Sequence, residues 1–297
     1  MNSSTMVTIG TFDGVHIGHR KILEHLINIA EQSGLKSTVL TFFPHPRMVL
    51  QKDTDIKMLN TVEEKKQILD ALGLNYLIVH PFTKEFSRLS AIAFVRDILV
   101  NRLKAKKVII GYDHRFGRNR NANITDLIHF GNTFEFEVEE IPAQEIDEVS
   151  VSSTKIRKAL MHGEIEQANL YLGYQYMLTG TVTKGKGLGK KIGFPTANLK
   201  IAEEYKLIPQ NGVYVVKSTL DQKTVHGMMN IGVNPTVDGK ARSIEVHFFD
   251  FDKNLYNEKI QVQLVRKLRD EHKFDSIEDL QKQLMADKAN AQGLRPG

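Results

Sequence analysis

The hydrophobic period of the chain changes once, near Gly173, and that change constrains the fold more than any other feature of its 297 residues. Before it, short apolar runs alternate with stretches of 3.6-residue period. Residues 6–11 (MVTIGT) read as a buried strand, and a helix from about Arg20 puts Ile22, Leu23, Leu26, Ile27 and Ala30 on one face. A strand at 37–43, a helix from Thr61 with Glu64 completing a capping box, and a strand at 76–79 follow. Ser90 caps an apolar helix running to about Leu103, and 107–111 is the next strand. Over 134–141, Phe134, Phe136 and Val138 alternate with glutamates, as in a strand with one buried face. A helix at about 154–162 is capped by Ser152 or Ser153 and stopped by Gly163. This alternation predicts an α/β domain, a mostly parallel sheet with helices on both faces.

After Gly173 the pattern is one of short strands with period two: 176–183, 212–218, 224–232, 243–249 and 259–268. Helical patterning returns only at 275–286. Closely spaced strands predict a small antiparallel barrel with a terminal helix. Two domains are therefore expected, 1–170 and 174–290, and the length suits two.

Charge divides along the same cut. Residues 1–170 carry 21 basic and 21 acidic side chains, so the net +5 sits entirely in residues 171–297. Lys184, Lys186, Lys190, Lys191 and Lys200 lie in a stretch without an acid between Glu166 and Glu203, interleaved with Gly185, Gly187, Gly189 and Gly193. A lysine run alone is a solvated loop; glycines that let backbone N–H groups wrap an anion make it a phosphate-binding loop. With no cysteine, a disulfide scaffold, a zinc ribbon, an iron–sulfur centre and a thiol nucleophile are excluded. MNSSTMVTIG has no basic n-region or long apolar stretch, and no apolar run approaches 18 residues. A cytoplasmic protein without a membrane span is expected.

Two segments carry the chemistry. In the first, the opening strand runs into Gly10-Thr11-Phe12-Asp13-Gly14-Val15-His16-Ile17-Gly18-His19 and then a helix. Nucleotides bind beyond the carboxyl ends of parallel strands, where helix N-termini supply N–H groups. His16 and His19, three apart at a helix entry, can face one anion. A zinc site would need further ligands that the sequence does not present, and without G-x-G-x-x-G a dinucleotide-binding dehydrogenase is disfavoured. In the second segment, Gly180 to Lys186 misses a Walker A loop because Gly187 replaces its Ser/Thr and no helix is expected to follow.

The H-x-G-H at 16–19 resembles the nucleotidylyltransferase superfamily, and Ser152-Ser153-Thr154-Lys155-Ile156-Arg157 resembles its S-S-T-x-x-R signature. The resemblance implies a Rossmann-like domain in which His16 and His19 are catalytic and bind ATP with Gly10, Phe12, Asp13, Ser153, Thr154 and Arg157. Phe42-Phe43-Pro44-His45-Pro46 and Gly111-Tyr112-Asp113-His114-Arg115-Phe116-Gly117 resemble flavin-binding segments of bacterial FAD synthetases. They imply flavin contacts at Pro44, His45, Asp113 and Arg115. Two departures fall here: His114 stands where the family has phenylalanine, and RNRNAN (118–123) lacks a usual glycine.

Gly193-Phe194-Pro195-Thr196-Ala197-Asn198-Leu199 resembles the P-T-A-N signature of riboflavin kinases. It implies Mg²⁺ held by Thr196 and Asn198, and ATP bound by Gly185, Lys186, Gly187, Lys190, Thr196 and Asn198. The segment Ser243 to Asp252 resembles the one that supplies the kinase's general base, here Glu245. Asn230 and Arg269, within segments like those beside the flavin, are implied flavin contacts. The chain is thus similar to bifunctional riboflavin kinase/FMN adenylyltransferases over about residues 7–285. The resemblance implies Mg²⁺ as cofactor and ATP, riboflavin and FMN as substrates. Small molecules are the expected partners of a monomer or weak homo-oligomer, with no nucleic acid and no membrane. A kinase with a weak or redirected adenylyltransferase half is the alternative; a nucleic-acid-binding regulator is more remote, because the Lys/Gly loop lacks an aromatic stacking platform.

Overall fold

A computed structural model describes residues 3–51, 55–111, 114–141, 151–185, 187–236 and 239–293. The chain divides into two units, 1–152 and 153–297.

The first unit is built on a parallel sheet. Its elements are β1 (Thr5–Ile9), α1 (Ile17–Gln32), β2 (Lys36–Phe43), α2 (Pro46–Leu50), α3 (Val62–Ala71), β3 (Tyr76–Pro81), α4 (Ala91–Ala93, continuing as π-helical turns Phe94–Arg102), β4 (Ala105–Gly111), α5 (Ile124–Phe134) and β5 (Glu137–Ile141). Strand order is β3-β2-β1-β4-β5, every pair parallel. β1 is the central strand and is buried throughout. The chain builds outward from it through β2 and β3 on one side, then returns to lay β4 and β5 on the other. The loop leaving β1 therefore lies at the point where strand order reverses, the place where open α/β sheets bind ligands.

Apolar spacing explains the helices. Leu23, Leu26 and Ala30 of α1 are buried, each leucine contributing about 1.5–3 kcal/mol. Phe94, Val95, Ile98 and Leu99 fix α4 against the core that holds Val7, Leu40, Val108 and Ile110. The capping box at Thr61 and Glu64 is present. Two expectations shift. α1 starts at Ile17, three residues before Arg20, because the His16 side chain caps it. α5, opened by a reciprocal Asn123–Asp126 capping box, is an additional helix, and it takes Phe134 into its last turn. Glu135 then adopts a left-handed conformation, so the strand begins at Glu137 rather than at 134.

The second unit holds α6 (Ser153–Met161), α7 (Ile165–Leu172), β6 (Met177–Thr183), α8 (Leu188–Lys191), β7 (Ala197–Lys200), β8 (Gly212–Leu220), β9 (Lys223–Thr236), β10 (Gly239–Phe248), β11 (Lys259–Arg269) and α9 (Ile277–Gly293). The strands close into an antiparallel barrel, β10-β7-β6-β11-β8-β9. Leu178, Val216, Met229, Ile231, Val246, Val262 and Leu264 are fully buried on one face of its strands. The other face, with Val213, Val215 and Met228, packs with Phe194 against Leu280 and Leu284 of α9. β7, only four residues long, is too short for its alternation to mark it as a strand. α6 and α7 pack on the barrel: Gln210 N–H donates to Leu160 O (3.0 Å), and Asn169 Nδ2 donates to Leu264 O (2.9 Å). The division by compactness thus falls before these helices, whereas the change of period falls after them.

Candidate active sites

The first site grows from the end of β1. Gly10 N–H still belongs to the sheet, donating to Leu40 O at 3.0 Å. A Cβ on Gly10 would stand 2.9 Å from the Phe12 ring, so this residue lets Phe12 fold back over the loop. Phe12 (φ 42°) and Val15 (φ 38°) are non-glycine residues in left-handed backbone, a strain that persists only where the surroundings impose it. Asp13 is buried, and its two oxygens accept the Leu59 N–H at 2.9 and 3.2 Å. It is placed to hold the loop.

His16 is the N-cap of α1: its Nδ1 accepts the His19 N–H at 3.4 Å. The two imidazoles are stacked, centroids 3.6 Å apart, with the Phe12 ring edge-on to His19 at 5.2 Å. Burial pushes His16 down to about 4. Burial, then His16 and Lys65, hold His19 well below the ordinary imidazole value. Both rings are thus neutral at pH 7, and with Nδ1 of His16 accepting, its proton lies on Nε2. His19 Nδ1 is buried without a hydrogen-bond partner. A pair of neutral donors at a helix N-terminus, one with an unsatisfied nitrogen, suits a polyphosphate.

Pro44 and His45 lie at the carboxyl end of β2, where His45 Nδ1 caps α2 by accepting Arg47 N–H at 3.1 Å. Beyond them Phe42, Phe82 and Phe86 form a mutual cluster with centroids 5.6–5.7 Å apart, with His80 4.4 Å from Phe86. Phe94 joins Phe86 to Phe116. No sequence pattern marks this aromatic run, because its members lie on four segments. Arg115 is exposed, and Asp113 lies outside the described residues. Ser153, Thr154 and Arg157 lie in the first two turns of α6, in the second unit.

The second site is assembled by strand register. Asn198 of β7 lies directly opposite Glu245 of β10, and Glu245 opposite Asn230 of β9. Asn230 faces Val213 of β8, which faces Arg269 of β11. Residues in register project from the same face, so one row across adjacent strands gathers four of the predicted residues. Glu245 lies on the face opposite Ile244 and Val246, as the alternation required. Its Oε2 accepts from Thr196 Oγ1 at 3.1 Å. His247, buried two residues on, reaches Pro195 O with Nδ1 at 2.8 Å.

The Lys/Gly loop closes on this row. A Cβ on Gly185 would stand 2.2 Å from Asn198 Nδ2, so only glycine lets the loop lie on that amide. Gly187 has left-handed backbone and begins the one-turn α8, which carries the exposed Lys190. Lys186 lies outside the described residues. The Arg269 guanidinium grips the buried Asp287 of α9 through Nε (3.0 Å) and Nη2 (2.7 Å). It fixes α9 to the barrel, and Gln283 supports Asp287 at 2.9 Å.

Residues 1–155 match the family described as FAD synthetase, and residues 172–294 the family described as riboflavin kinase. The chain belongs to the bifunctional riboflavin kinase/FMN adenylyltransferase family. It is 40% identical to the enzyme of that name from Listeria monocytogenes, over 97% of this chain and 92% of the relative. Identity is 38% to that of Buchnera aphidicola subsp. Schizaphis graminum (97% and 93%) and 35% to that of Escherichia coli K12 (96% and 91%). A solved Streptococcus pneumoniae structure, described as a macrolide-efflux protein, is 31% identical, with TM-score 0.88 over 99% of this chain and 96% of that one.

The protein is accordingly a transferase with two activities, phosphorylation of riboflavin to FMN and adenylylation of FMN to FAD. Among the described residues no helix is long and apolar enough to cross a membrane. For this family, Lys65 is the site-adjacent residue that sequence reasoning missed. It is buried and donates from Nζ to Thr11 O at 2.6 Å. Its only sequence signal is an ordinary place at the start of a helix.

Proposed function

We propose that residues 1–170 carry adenylyl transfer and residues 174–290 carry riboflavin phosphorylation, each through the residues described above. The adenylyltransferase reading rests on the stacked His16–His19 pair at the α1 N-terminus. An oxygen of the FMN phosphate attacks the α-phosphorus of ATP, the α–β bridging bond breaks, and pyrophosphate leaves. His16 and His19 donate N–H bonds to the phosphate oxygens on which charge builds. Gly10 and Phe12 shape the loop that receives the nucleotide, while Asp13 positions it. Ser153, Thr154 and Arg157 bind ATP phosphates through a helix N-terminus and a guanidinium. Pro44, His45, Asp113 and Arg115 contact FMN, with the Phe42–Phe86 rings as an apolar wall.

For the kinase, the carrying observation is the Asn198–Glu245–Asn230 row. Glu245 takes the proton of the ribityl 5′-hydroxyl as its oxygen attacks the γ-phosphorus, and ADP leaves. The Thr196 hydroxyl orients the carboxylate. Thr196 and Asn198 bring together hard oxygen donors of the kind Mg²⁺ takes, completed by phosphate and water. Thr196 and Asn198 would hold the ion, which supplies charge neutralisation for the phosphates. Gly185, Lys186, Gly187 and Lys190 embrace ATP, and Asn230 lies toward the flavin. Arg269, held by Asp287 of α9, contacts the flavin.

Flavins and ATP are the partners of a cytoplasmic monomer or weak homo-oligomer, with no part for nucleic acid. The pneumococcal structure is named for efflux, but the histidine pair and the polar row of this chain support nucleotide chemistry. Separate assays test the division: riboflavin with ATP for FMN, and FMN with ATP for FAD and pyrophosphate. A variant at either site that abolishes both products with the protein folded would overturn it.

A further inference from the structure

Beneath the nucleotide loop of the first unit lies a buried cation to which neither reaction assigns a part. Lys65, 5% exposed, stands at the start of α3 and donates to the Thr11 carbonyl at 2.6 Å. Six residues before it, the Leu59 N–H is held by Asp13. The segment between is itself fixed: Glu64 N–H donates to Thr61 Oγ1 (3.1 Å), and Thr61 N–H donates to Glu64 Oε2 (3.0 Å). Residues 59–65 therefore grip the loop at Thr11 and at Asp13, on either side of the left-handed Phe12. Val15, the second left-handed residue, leads directly into the His16 cap. Thr11 O is held from a further side by Thr41 Oγ1 at 3.2 Å. A backbone of this kind keeps its shape only under such constraint, and the charge of Lys65 also reaches the His19 ring.

We propose that Lys65 is a positioning residue for adenylyl transfer, holding the strained loop so that His16 and His19 keep their stacked, donor-ready arrangement. The proposal rests on the reading that those histidines hold the ATP phosphates. Lys65 acts through the Thr11 carbonyl and the electrostatics of the loop, so its loss is felt in the reacting geometry more than in nucleotide capture.

The test uses the full chain, with FMN formation as an internal control. Lys65→Met is expected to lower kcat for FAD formation about 100-fold, the effect of a roughly 1 Å misplacement, while the KM for ATP changes less than about threefold. FMN formation stays within about twofold of the unmodified protein, since that reaction is distant in the sequence and differently built. Lys65→Arg keeps a charged donor and is expected to recover at least about a tenth of the FAD rate. A smaller folded fraction would also lower kcat alone, so rates are taken per mole of ATP-binding sites titrated in the first unit, and recovery in the charged variant then separates positioning from folding. A Lys65→Met protein retaining more than a third of the FAD rate overturns the proposal, as does a Lys65→Arg protein no better than Lys65→Met. His19→Ala is run alongside. FAD formation lost in His19→Ala but kept in Lys65→Met sinks this inference alone, whereas FAD formation kept in His19→Ala sinks the site reading beneath it.

Discussion

The proposed adenylyltransferase loop takes its residues from one unbroken stretch, Gly10 to His19, while the proposed kinase row takes Asn198, Glu245, Asn230 and Arg269 from four strands. The first arrangement is local and is kept in shape by strain held from outside, by Leu59, Lys65 and Thr41. The second needs no strained backbone, because register in a closed barrel already sets its spacing. A local site depends on its neighbours for rigidity, and a register-built site inherits rigidity from the fold.

The strongest way to break this comparison is Glu245→Gln. It removes the proposed proton acceptor and should lower FMN formation by about 10²–10⁴-fold, leaving FAD formation from added FMN intact. Equal loss of both products in steady-state assays would mean that the two sites are not independent. His19→Ala comes next, with FAD formation reduced about 10²–10³-fold for one lost donor to the transferring phosphate, and FMN formation unchanged.

Acid should weaken the first unit through its histidine pair. His16 and His19 have folded-state pKa values depressed below the ordinary imidazole value, chiefly by burial. The unfolded chain therefore binds protons that the folded one refuses, so stability is full above the unfolded pKa and falls as pH drops toward the folded one. For His16 the window runs from 6.5 to about 4, and its full width corresponds to about 3 kcal/mol. In the second unit His247 is depressed in the same direction. Urea unfolding at pH 7 and pH 4.5 should show a loss that His16→Gln reduces; an unchanged loss in that variant would remove the histidine pair as its source. The smallest effect expected is that of Asp287→Asn, which weakens the Arg269 grip on α9. Because Arg269 is partly exposed, the cost is about 1–2 kcal/mol in denaturant unfolding. An unaltered midpoint would make that ion pair incidental to the barrel.

The same contrast decides what can be read without coordinates. His16 and His19 are legible because helix entry, spacing and chemistry all occur within four residues. Asn198, Glu245 and Asn230 are legible one at a time, through resemblance, but their alignment is not, since register is a relation between strands. Arg269 stands out in the sequence and its partner does not, because Asp287 lies 18 residues away on another element. The bond from Leu59 N–H to Asp13 is likewise absent from the sequence pattern, because its partners lie 46 residues apart. α5 escapes the sequence reading although Asn123 and Asp126 spell a capping box, because the alternation that marks the following strand extends back to Phe134. The aromatic run from Phe42 to Phe116 and the grip of Lys65 are purely tertiary.

β7 is joined to β6 by three register pairs and to β10 by only two, Glu245 with Asn198 and Val246 with Ala197. The shortest seam in the ring of staves is thus the one that brings the proposed base beside the proposed metal ligand. Closing the wall there and bringing the proposed base to the proposed metal ligand are the same event.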